Sequence, residues 1–127
     1  MNGVRVRFLN RDEIFPRLVA LAKQLLVLRP NVMEVSLFGS LVRGNYAPGS
    51  DADIYILLRE DSRKFTDRIP EFLGHFSKIG LPVEVFPYTL EEIEKMSDSA
   101  FIKAIQKGKK TLVSRSLSDL FVENSQF

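Results

Sequence analysis

The chain carries the stretch FGSLVRGNYAPGSDAD at residues 38–53. The residues before it, VMEVSL, and after it, IYILL, have patterns typical of β-strands. Gly39 and Ser40 therefore lie in a turn at the end of one predicted strand, and Asp51 and Asp53 lie at the start of the next. The residues between them contain glycine and proline, which predicts a loop with room for one helical turn.

Gly39 and Ser40 are candidates for a phosphate-binding turn. Where a turn leads into a helical segment, unpaired backbone N–H groups and the helix dipole both favour anions. Glycine lets a phosphate approach the backbone closely, and the serine hydroxyl adds one hydrogen-bond donor. Because Gly-Ser pairs are common in turns, this pair alone does not identify a site.

Asp51 and Asp53 form the second candidate feature. Side chains at positions i and i+2 leave a strand on the same side, so both carboxylates face one point in space. Two carboxylates at one point repel each other unless a cation lies between them. Mg²⁺ fits this arrangement when a phosphate is near, because it keeps several waters and takes only one or two protein carboxylates.

Glu84 is the third candidate residue, and two interpretations of it stay open. It alternates with apolar Val83 and Val85 in a predicted strand, so it faces solvent if that strand lies apart from the aspartates. If the strand instead neighbours the one that begins with Asp51 and Asp53, Glu84 joins them as a third carboxylate. It then binds a second metal ion or accepts the proton of an attacking hydroxyl.

The rest of the chain alternates between helical and strand-like patterns. The predicted strands are Val4–Leu9, Val32–Phe38, Ala52–Leu58, Pro82–Phe86 and Thr111–Val113. The predicted helices run from Asn10 or Pro16 to Leu28, from Phe65 to Ile79 with an interruption at Pro70, over residues 90–95, and from Ser97 or Asp98 to Gly108. This order predicts a sheet covered by helices, in the α/β or α+β class.

Composition excludes several kinds of chemistry. The chain has 127 residues, the length of one domain, and no cysteine, which excludes disulfides, thiolate metal sites and cysteine nucleophiles. Its single histidine, His75, lies in a predicted helix and is interpreted as structural or exposed. A formal net charge of +2 is too small to indicate nucleic acid, and no apolar run approaches the ~18 residues of a membrane span. We therefore expect one soluble domain over residues 1–127, located in the cytoplasm.

The order and spacing of these features are more specific than any one of them. Residues 38–44 (FGSLVRG) and 48–53 (PGSDAD), followed by an acidic residue on the next strand, resemble the nucleotidyltransferase superfamily of DNA polymerase β. The local strings are similar to its small stand-alone branch, the minimal nucleotidyltransferases, and the resemblance covers residues from about 18 to 113. It implies a mixed β-sheet with helices packed on one side.

The resemblance also implies a reaction and a set of roles. The reaction is Mg²⁺-dependent transfer of a nucleoside monophosphate from a nucleoside triphosphate (NTP) to a hydroxyl, with pyrophosphate leaving. By position in the motif, the implied nucleotide-binding residues are Gly39, Ser40 and Arg43. The implied catalytic carboxylates and metal ligands, at a site for two Mg²⁺ ions, are Asp51, Asp53 and Glu84.

The chain departs from the family's pattern at three positions. Leu41 stands where a basic residue is frequent, and Gly49 stands where an acidic one is common. The third carboxylate is Glu84 where aspartate is more usual, so its reach is longer by one methylene group. The resemblance therefore leaves open whether Glu84 is the general base or a metal ligand.

The small size of the chain shapes the expected acceptor. Minimal nucleotidyltransferases resemble antitoxins paired with helical HEPN toxins, in which the enzyme adenylylates the toxin. We therefore expect ATP as the donor and a protein hydroxyl as the acceptor, such as a tyrosine of a HEPN-type partner, with a second copy of the chain as another partner. The alternatives are a nucleotidyltransferase acting on an antibiotic, a small subunit for nucleic-acid chemistry, and a non-catalytic module that binds only a nucleotide or a partner.

Overall fold

The computed structural model describes residues 11–43 and 51–115 as a four-stranded sheet with five α-helices. The strands are β1 (Val32–Phe38), β2 (Ala52–Leu58), β3 (Val83–Thr89) and β4 (Lys110–Ser114). The helices are α1 (Arg11–Leu28), α2 (Ser40–Arg43), α3 (Phe65–Phe76), α4 (Leu90–Lys95) and α5 (Ala100–Gly108), and a short 3₁₀ turn (Ser77–Ile79) follows α3. The predicted strand Val4–Leu9 and the predicted helix start at Asn10 lie outside the described residues.

The sheet is mixed, as the resemblance implies. Its strand order is β3-β2-β1-β4, with β1 antiparallel to both β2 and β4, and β2 parallel to β3. The parallel pair is connected through α3, since parallel neighbours need a long crossover. The register places Asp53 of β2 between Phe38 of β1 and Glu84 of β3.

The main core lies on one face of the sheet, beneath α1 and α3. Alternate residues of β2 point into it, and Ile54, Ile56 and Leu58 are fully buried. On α3, Phe72 and Phe76 are one helical turn apart and both are buried in the same core. The apolar residues that alternate along β2 and recur once per turn along α3 are therefore buried in one contiguous cluster.

Proline does not set the ends of the long helices. α1 runs through Pro16, although a regular start at Pro16 was an expectation from sequence, and α3 runs through Pro70. A proline inside a helix removes one backbone hydrogen bond. Ile14 and Leu18, on either side of Pro16, are fully buried, and this burial outweighs that loss.

Helices cover both faces of the sheet, which is more than the one-sided packing that the resemblance implies. Tyr55 points away from the main core because it alternates with Ile54 and Ile56, and it packs against Ile102 and Ile105 of α5. The mixed sheet and the α+β class are confirmed. The second, smaller cluster lies on the same face as Asp53 and therefore next to the predicted site.

Two expectations about the helices can be compared with the structure. None of the helices in the described part of the chain has both the length and the apolar content needed to cross a membrane. The ring Nε2 of His75 on α3 lies 2.7 Å from the carbonyl oxygen of Leu21 on α1. His75 therefore joins two helices, in agreement with the structural role expected for it.

Candidate functional site

Residues from three neighbouring strands form a row at one end of the sheet. Phe38 pairs with Asp53 across the antiparallel strands, and Asp53 pairs with Glu84 across the parallel strands. Paired residues on neighbouring strands project from the same face and are about 5 Å apart at the backbone. The condition on which the third-carboxylate interpretation of Glu84 depends, a strand next to the aspartates, is therefore met.

The two aspartates flank the first residue of β2. Asp51 precedes the strand and is exposed, whereas Asp53 lies in it and is half-buried. Between them, the backbone N–H of Ala52 donates to the carbonyl oxygen of Pro82 at 2.8 Å, which fixes the start of β2 against the start of β3. Glu84, two residues beyond Pro82, is exposed. Three acidic residues therefore share one end of a parallel strand pair.

Gly39 brings the turn after β1 directly against Asp53. Its φ of +81° lies in the left-handed region that favours glycine. A Cβ at this position would collide with Oδ2 of Asp53 and lie 3.3 Å from its Cγ. A glycine is therefore needed here both for its backbone conformation and for the close approach of the aspartate.

The predicted helical turn after Gly39 is present as α2, a four-residue helix. The N–H of Val42 donates to the carbonyl oxygen of Gly39 at 3.2 Å, so the helical turn begins at the end of β1. α2 includes Ser40 and Arg43, and their predicted contacts with a nucleotide stay predictions. Gly39 therefore lies against the Asp53 carboxylate and directly precedes this helical turn.

The acidic residues at this end suit Mg²⁺ but do not form a closed cage. Within residues 11–43 and 51–115, no three side chains of the metal-binding types are grouped closely enough to hold an ion by themselves. Mg²⁺ needs no such cage, because it retains waters and combines one or two carboxylates with substrate phosphate oxygens. Asp51, Asp53 and Glu84 offer only oxygen donors, which are the ligands that this ion prefers. The residues therefore fit the ion.

Asp51, Asp53 and Glu84 form an acidic row at this end of the sheet. Three phenylalanines border it, and sequence reasoning did not single them out. The ring of Phe38 lies 5.2 Å from that of Phe86 and 6.0 Å from that of Phe101, between centroids. Phe86 and Phe101 are 5.6 Å apart. Phe86 follows Glu84 by two residues and shares its face, which is the one signal in the sequence that could have placed it here.

A polar cluster lies further along the same face. Nζ of Lys109 is 2.6 Å from a carboxylate oxygen of Glu34, which also accepts a hydrogen bond from Ser36 at 2.5 Å. The amide of Gln106 donates to the Tyr55 hydroxyl at 3.3 Å. Burial raises the pKa of Tyr55 to about 12, so its hydroxyl stays protonated at neutral pH. The Gln106 contact joins α5 to β2, and the Lys109 contact joins the residue between α5 and β4 to β1.

A cavity of about 770 Å³ lies at the opposite end of the sheet. Its lining mixes basic and acidic residues, including Arg59, Glu60 and Asp61, which follow the last residue of β2. The acidic row lies at the first residues of β2, one strand length away. Cavity size therefore does not identify the predicted site.

Comparison with known proteins identifies the family and the fold. Residues 18–113 match the nucleotidyltransferase domain family, which is most of the chain. A candidate nucleotidyltransferase from Sulfolobus solfataricus has a similar structure, with 23% identity, a TM-score of 0.53, and 88% of this chain and 94% of that chain covered. No curated protein matches this chain at a significant level.

Two toxin–antitoxin structures are similar as well. One was solved with AMP-PNP and has 17% identity, a TM-score of 0.52, and coverage of 85% of this chain and 86% of that chain. The other is the toxin–antitoxin MntA–HepT, with 16% identity, a TM-score of 0.50, and coverage of 89% and 85%. At such identities these similarities concern the fold alone.

Proposed function

The chain belongs to the nucleotidyltransferase family, and from this premise we propose that it transfers AMP from ATP to a hydroxyl group of a protein partner. Nucleotidyl transfer is the activity of the family, and the chain fits its minimal branch. The donor, the metal ion, the acceptor and the residue roles are the proposal. It treats residues 1–127 as one nucleotidyltransferase domain.

The observation that carries this proposal is the order of groups across the end of the sheet. Gly39 follows β1, Asp53 lies on β2, and Glu84 lies on β3. A triphosphate held at Gly39 and Ser40 would lie on one side of Asp53, and Glu84 would lie on the other. A phosphorus atom near Asp53 would thus have the leaving pyrophosphate on the Gly39 side and the attacking hydroxyl on the Glu84 side.

Asp51 and Asp53 would hold Mg²⁺, and Glu84 would act as the general base; its alternative role would be to complete a site for a second ion. When bound, Mg²⁺ supplies positive charge that offsets the charge of the triphosphate and of the departing pyrophosphate. Gly39 and Ser40 hold the phosphates with backbone N–H groups and a hydroxyl, and Arg43 adds a guanidinium. The exposure of Asp51 and Glu84 leaves both carboxylates open to substrate.

The chemical step is a displacement at the α-phosphorus. The acceptor oxygen forms a bond to this phosphorus, and the bond to the oxygen that bridges to the β-phosphate breaks. Pyrophosphate leaves with the electron pair of the broken bond, and the acceptor hydroxyl gives its proton to the carboxylate of Glu84. Because Glu84 is exposed, it can pass this proton to water.

The proposed partner is a HEPN-type toxin, with a tyrosine hydroxyl as the acceptor. The similar toxin–antitoxin structures, one of them with AMP-PNP, support a protein partner and ATP as the donor. Since ATP is the donor, we place the reaction in the cytoplasm.

A transfer assay with the candidate acceptors tests this function. The protein is incubated with Mg²⁺ and ATP labelled at the α-phosphate, with or without a purified HEPN-type toxin. We expect pyrophosphate release and a mass increase of one AMP on the partner. Asp53→Asn, which removes one carboxylate charge at nearly equal size, is the matched control and is expected to give neither.

Other results of this assay would identify the alternatives. Transfer to an aminoglycoside hydroxyl but to no protein indicates an antibiotic nucleotidyltransferase. ATP binding without pyrophosphate release in the presence of any hydroxyl acceptor indicates a binding module. Salt-sensitive binding of oligonucleotides, with transfer to their ends, indicates a role in nucleic-acid chemistry.

A further inference from the structure

A groove of about 430 Å³ lies between α5 and the turn that ends β1. One wall is a single stripe of α5, because residues three, four and seven positions apart share a helix face. This stripe consists of Phe101, Ala104, Ile105 and Gly108. The opposite wall consists of Phe38 and Gly39, and Lys107 stands at the margin.

The groove is continuous with the candidate site on one side only. Gly39 lines the groove and also lies against the carboxylate of Asp53. Glu84 lies on the other side of Asp53 and does not line the groove. The groove therefore opens on the side of the proposed triphosphate and away from the side from which an acceptor would reach Glu84.

We propose that this groove binds the nucleoside part of the donor NTP, with the base stacked on Phe101. The inference rests on the proposed function, because the position of the triphosphate at Gly39 sets where the nucleoside begins. A volume of about 430 Å³ lies within the range of small-ligand pockets. Gly39 of the proposed phosphate-binding turn lines this groove, whereas it lines neither the cavity beside Arg59 nor the one beside Ile93.

The lining residues suit a flat aromatic ligand. Phe101 is 44% exposed although its ring contacts Phe38 and Phe86, so neighbours hold it while part of the ring stays open. A base that stacks on such a ring gains free energy without needing a specific hydrogen bond. The groove beside Phe101 is kept clear by Ala104 and Gly108, and a Cβ added at Gly108 would meet no atom within 4 Å.

The charge at the margin suits the same ligand. Lys107 is exposed on α5, so its ammonium can reach the phosphate or the ribose oxygens of a nucleotide in the groove. An apolar floor with one cation at the edge matches a nucleoside joined to an anionic tail. A purely apolar peptide segment would make no use of this cation.

The test separates binding of the nucleoside from binding of the triphosphate. Calorimetry measures the affinity for ATP and for inorganic tripolyphosphate, each with Mg²⁺, in the wild type and in Ala104→Phe. Ala104 is exposed on a helix, so the larger side chain fills the groove without entering the core. We expect the affinity for ATP to fall about tenfold or more, and the affinity for tripolyphosphate to stay unchanged.

Ala100→Phe is the matched control. It makes the same substitution on the same helix, also at an exposed residue, but Ala100 does not line the groove. We expect this variant to bind ATP and tripolyphosphate as the wild type does. A loss of ATP affinity in Ala100→Phe equal to that in Ala104→Phe would overturn the proposal, because a general disturbance of α5 would explain both.

A spectroscopic test observes the base directly. The chain contains no tryptophan, so Phe101→Trp introduces a single indole at the proposed stacking position. We expect its fluorescence to be quenched by ATP with Mg²⁺ and to be unaffected by tripolyphosphate. Equal responses to both ligands, or none to ATP in a variant that binds it, would overturn the proposal.

Failure of this inference and failure of the proposed function give different results. If the wild type binds ATP and Ala104→Phe binds it equally well, the nucleoside lies elsewhere and the groove is wrongly assigned. If Ala104→Phe weakens ATP and tripolyphosphate equally, its effect is on the phosphates and the inference is also overturned. If the wild type binds neither ligand, the proposed function itself is contradicted.

Discussion

The two ends of β2 use charged residues in opposite ways. At the first residues of the strand, Asp51 and Asp53 stand with Glu84 of the neighbouring strand, three charges of one sign. Beyond its last residue, Arg68 of α3 is almost fully buried, 2% exposed, among groups of opposite polarity. One end therefore concentrates charge in contact with solvent, and the other neutralises it inside the fold.

The arginine end joins three elements through one side chain. The guanidinium of Arg68 donates to the two carboxylate oxygens of Glu92 at 2.7 and 2.9 Å, and to the carbonyl oxygens of Arg63 and Pro87 at 2.6 and 2.9 Å. Glu92 in turn accepts a hydrogen bond at 2.9 Å from the backbone N–H of Thr89, which caps α4. Hydrogen bonding to Arg68 lowers the pKa of Glu92. The charged side chains of Arg68 and Glu92 therefore hydrogen-bond to each other and to the backbone around them.

The carboxylate end carries three charges of one sign. Like charges repel each other, so the interaction of Asp51, Asp53 and Glu84 with one another does not stabilise the fold. Under the proposed function, this arrangement provides a place for a cation with a polyphosphate. The comparison teaches that the charge that stabilises the fold is buried among groups of opposite polarity, whereas the charges proposed to bind a ligand share one sign at one end of the sheet.

The largest expected effect comes from neutralising the acidic row. Asp51→Asn and Asp53→Asn are each expected to reduce transfer about 10⁴-fold or more, because a metal ion supplies several kcal/mol of transition-state stabilisation and each 1.36 kcal/mol is a factor of ten. The rate of pyrophosphate release measures this. Near wild-type transfer by either variant would contradict the metal assignment.

The same variants also test whether the acidic residues contribute to the stability of the fold. Removal of one charge relieves repulsion, so Asp51→Asn is expected to leave the free energy of unfolding within about 0.5 kcal/mol of the wild type, or to raise it slightly. Denaturant unfolding gives this value. A large loss of stability would mean that the carboxylates hold the fold together as Arg68 does.

Glu84→Gln gives the next largest effect and separates two roles. If Glu84 is the general base, the rate constant for transfer falls roughly 10²–10⁴-fold while the affinity for ATP hardly changes. If it is a metal ligand, the Mg²⁺ requirement rises and excess Mg²⁺ restores part of the rate. We expect the first result, because Glu84 lies on the side of Asp53 from which the proposed function has the acceptor approach.

Titration of the transfer rate with Mg²⁺ at saturating ATP distinguishes these roles. Glutamine keeps the size and polarity of Glu84, so a folding defect does not confuse the measurement. A normal rate with a normal Mg²⁺ dependence would leave two functional carboxylates. It would then favour the non-catalytic module over the enzyme.

At the other end of β2, Arg68→Ala is expected to lower the free energy of unfolding by about 3–5 kcal/mol. It leaves the carboxylate of Glu92 without its main partner and removes donors from two carbonyl oxygens. Arg59→Ala is the control, since Arg59 is exposed, and its effect is expected to stay within about 0.5 kcal/mol. Equal effects of both substitutions in denaturant unfolding would show that burial of Arg68 is not what stabilises this end.

The sequence predicted the positions of the four described strands well, but it placed the end of β3 too early. β1 and β2 have the predicted bounds, because Pro30-Asn31 and Gly39 flank β1 and the charged residues Asp51 and Arg59 flank β2. β3 was predicted to end at Phe86 but continues through Pro87 to Thr89. Proline is tolerated there because β3 is an edge strand, and an edge strand has one side with no ladder to complete. Whether proline is tolerated in β3 depends on the order of the strands in the sheet, and no local sequence pattern indicates that order.

The candidate site was predictable as a set of residues but not as an arrangement. Spacing puts Asp51 and Asp53 together, whereas the position of Glu84 beside Asp53 depends on the parallel pairing of β2 and β3. The groove beside Phe101 depends on how α5 lies across the sheet. The sequence did not indicate the role of Arg68, because its partner Glu92 is 24 residues away. Contacts between distant segments account for what the sequence did not predict.

The smallest expected effect is a pH dependence at the arginine end. Hydrogen bonds from Arg63, at 2.7 to 3.0 Å, lower the pKa of Asp61 to about 2, below its ordinary value of 3.8. Above pH 4 or so the carboxylate is charged whether the chain is folded or unfolded, and its pairing with Arg63 stabilises the fold. As the pH falls toward 2, the unfolded chain takes up the proton first, so this contribution is lost.

We expect Asp61→Asn to be less stable than the wild type at neutral pH by about 1 kcal/mol or less, because Arg63 is partly exposed. Thermal melting of both proteins measures the difference, which should shrink as the pH falls from about 4 to about 2. A difference that stays constant over this range would mean that the charge of Asp61 does not contribute to the stability of the fold.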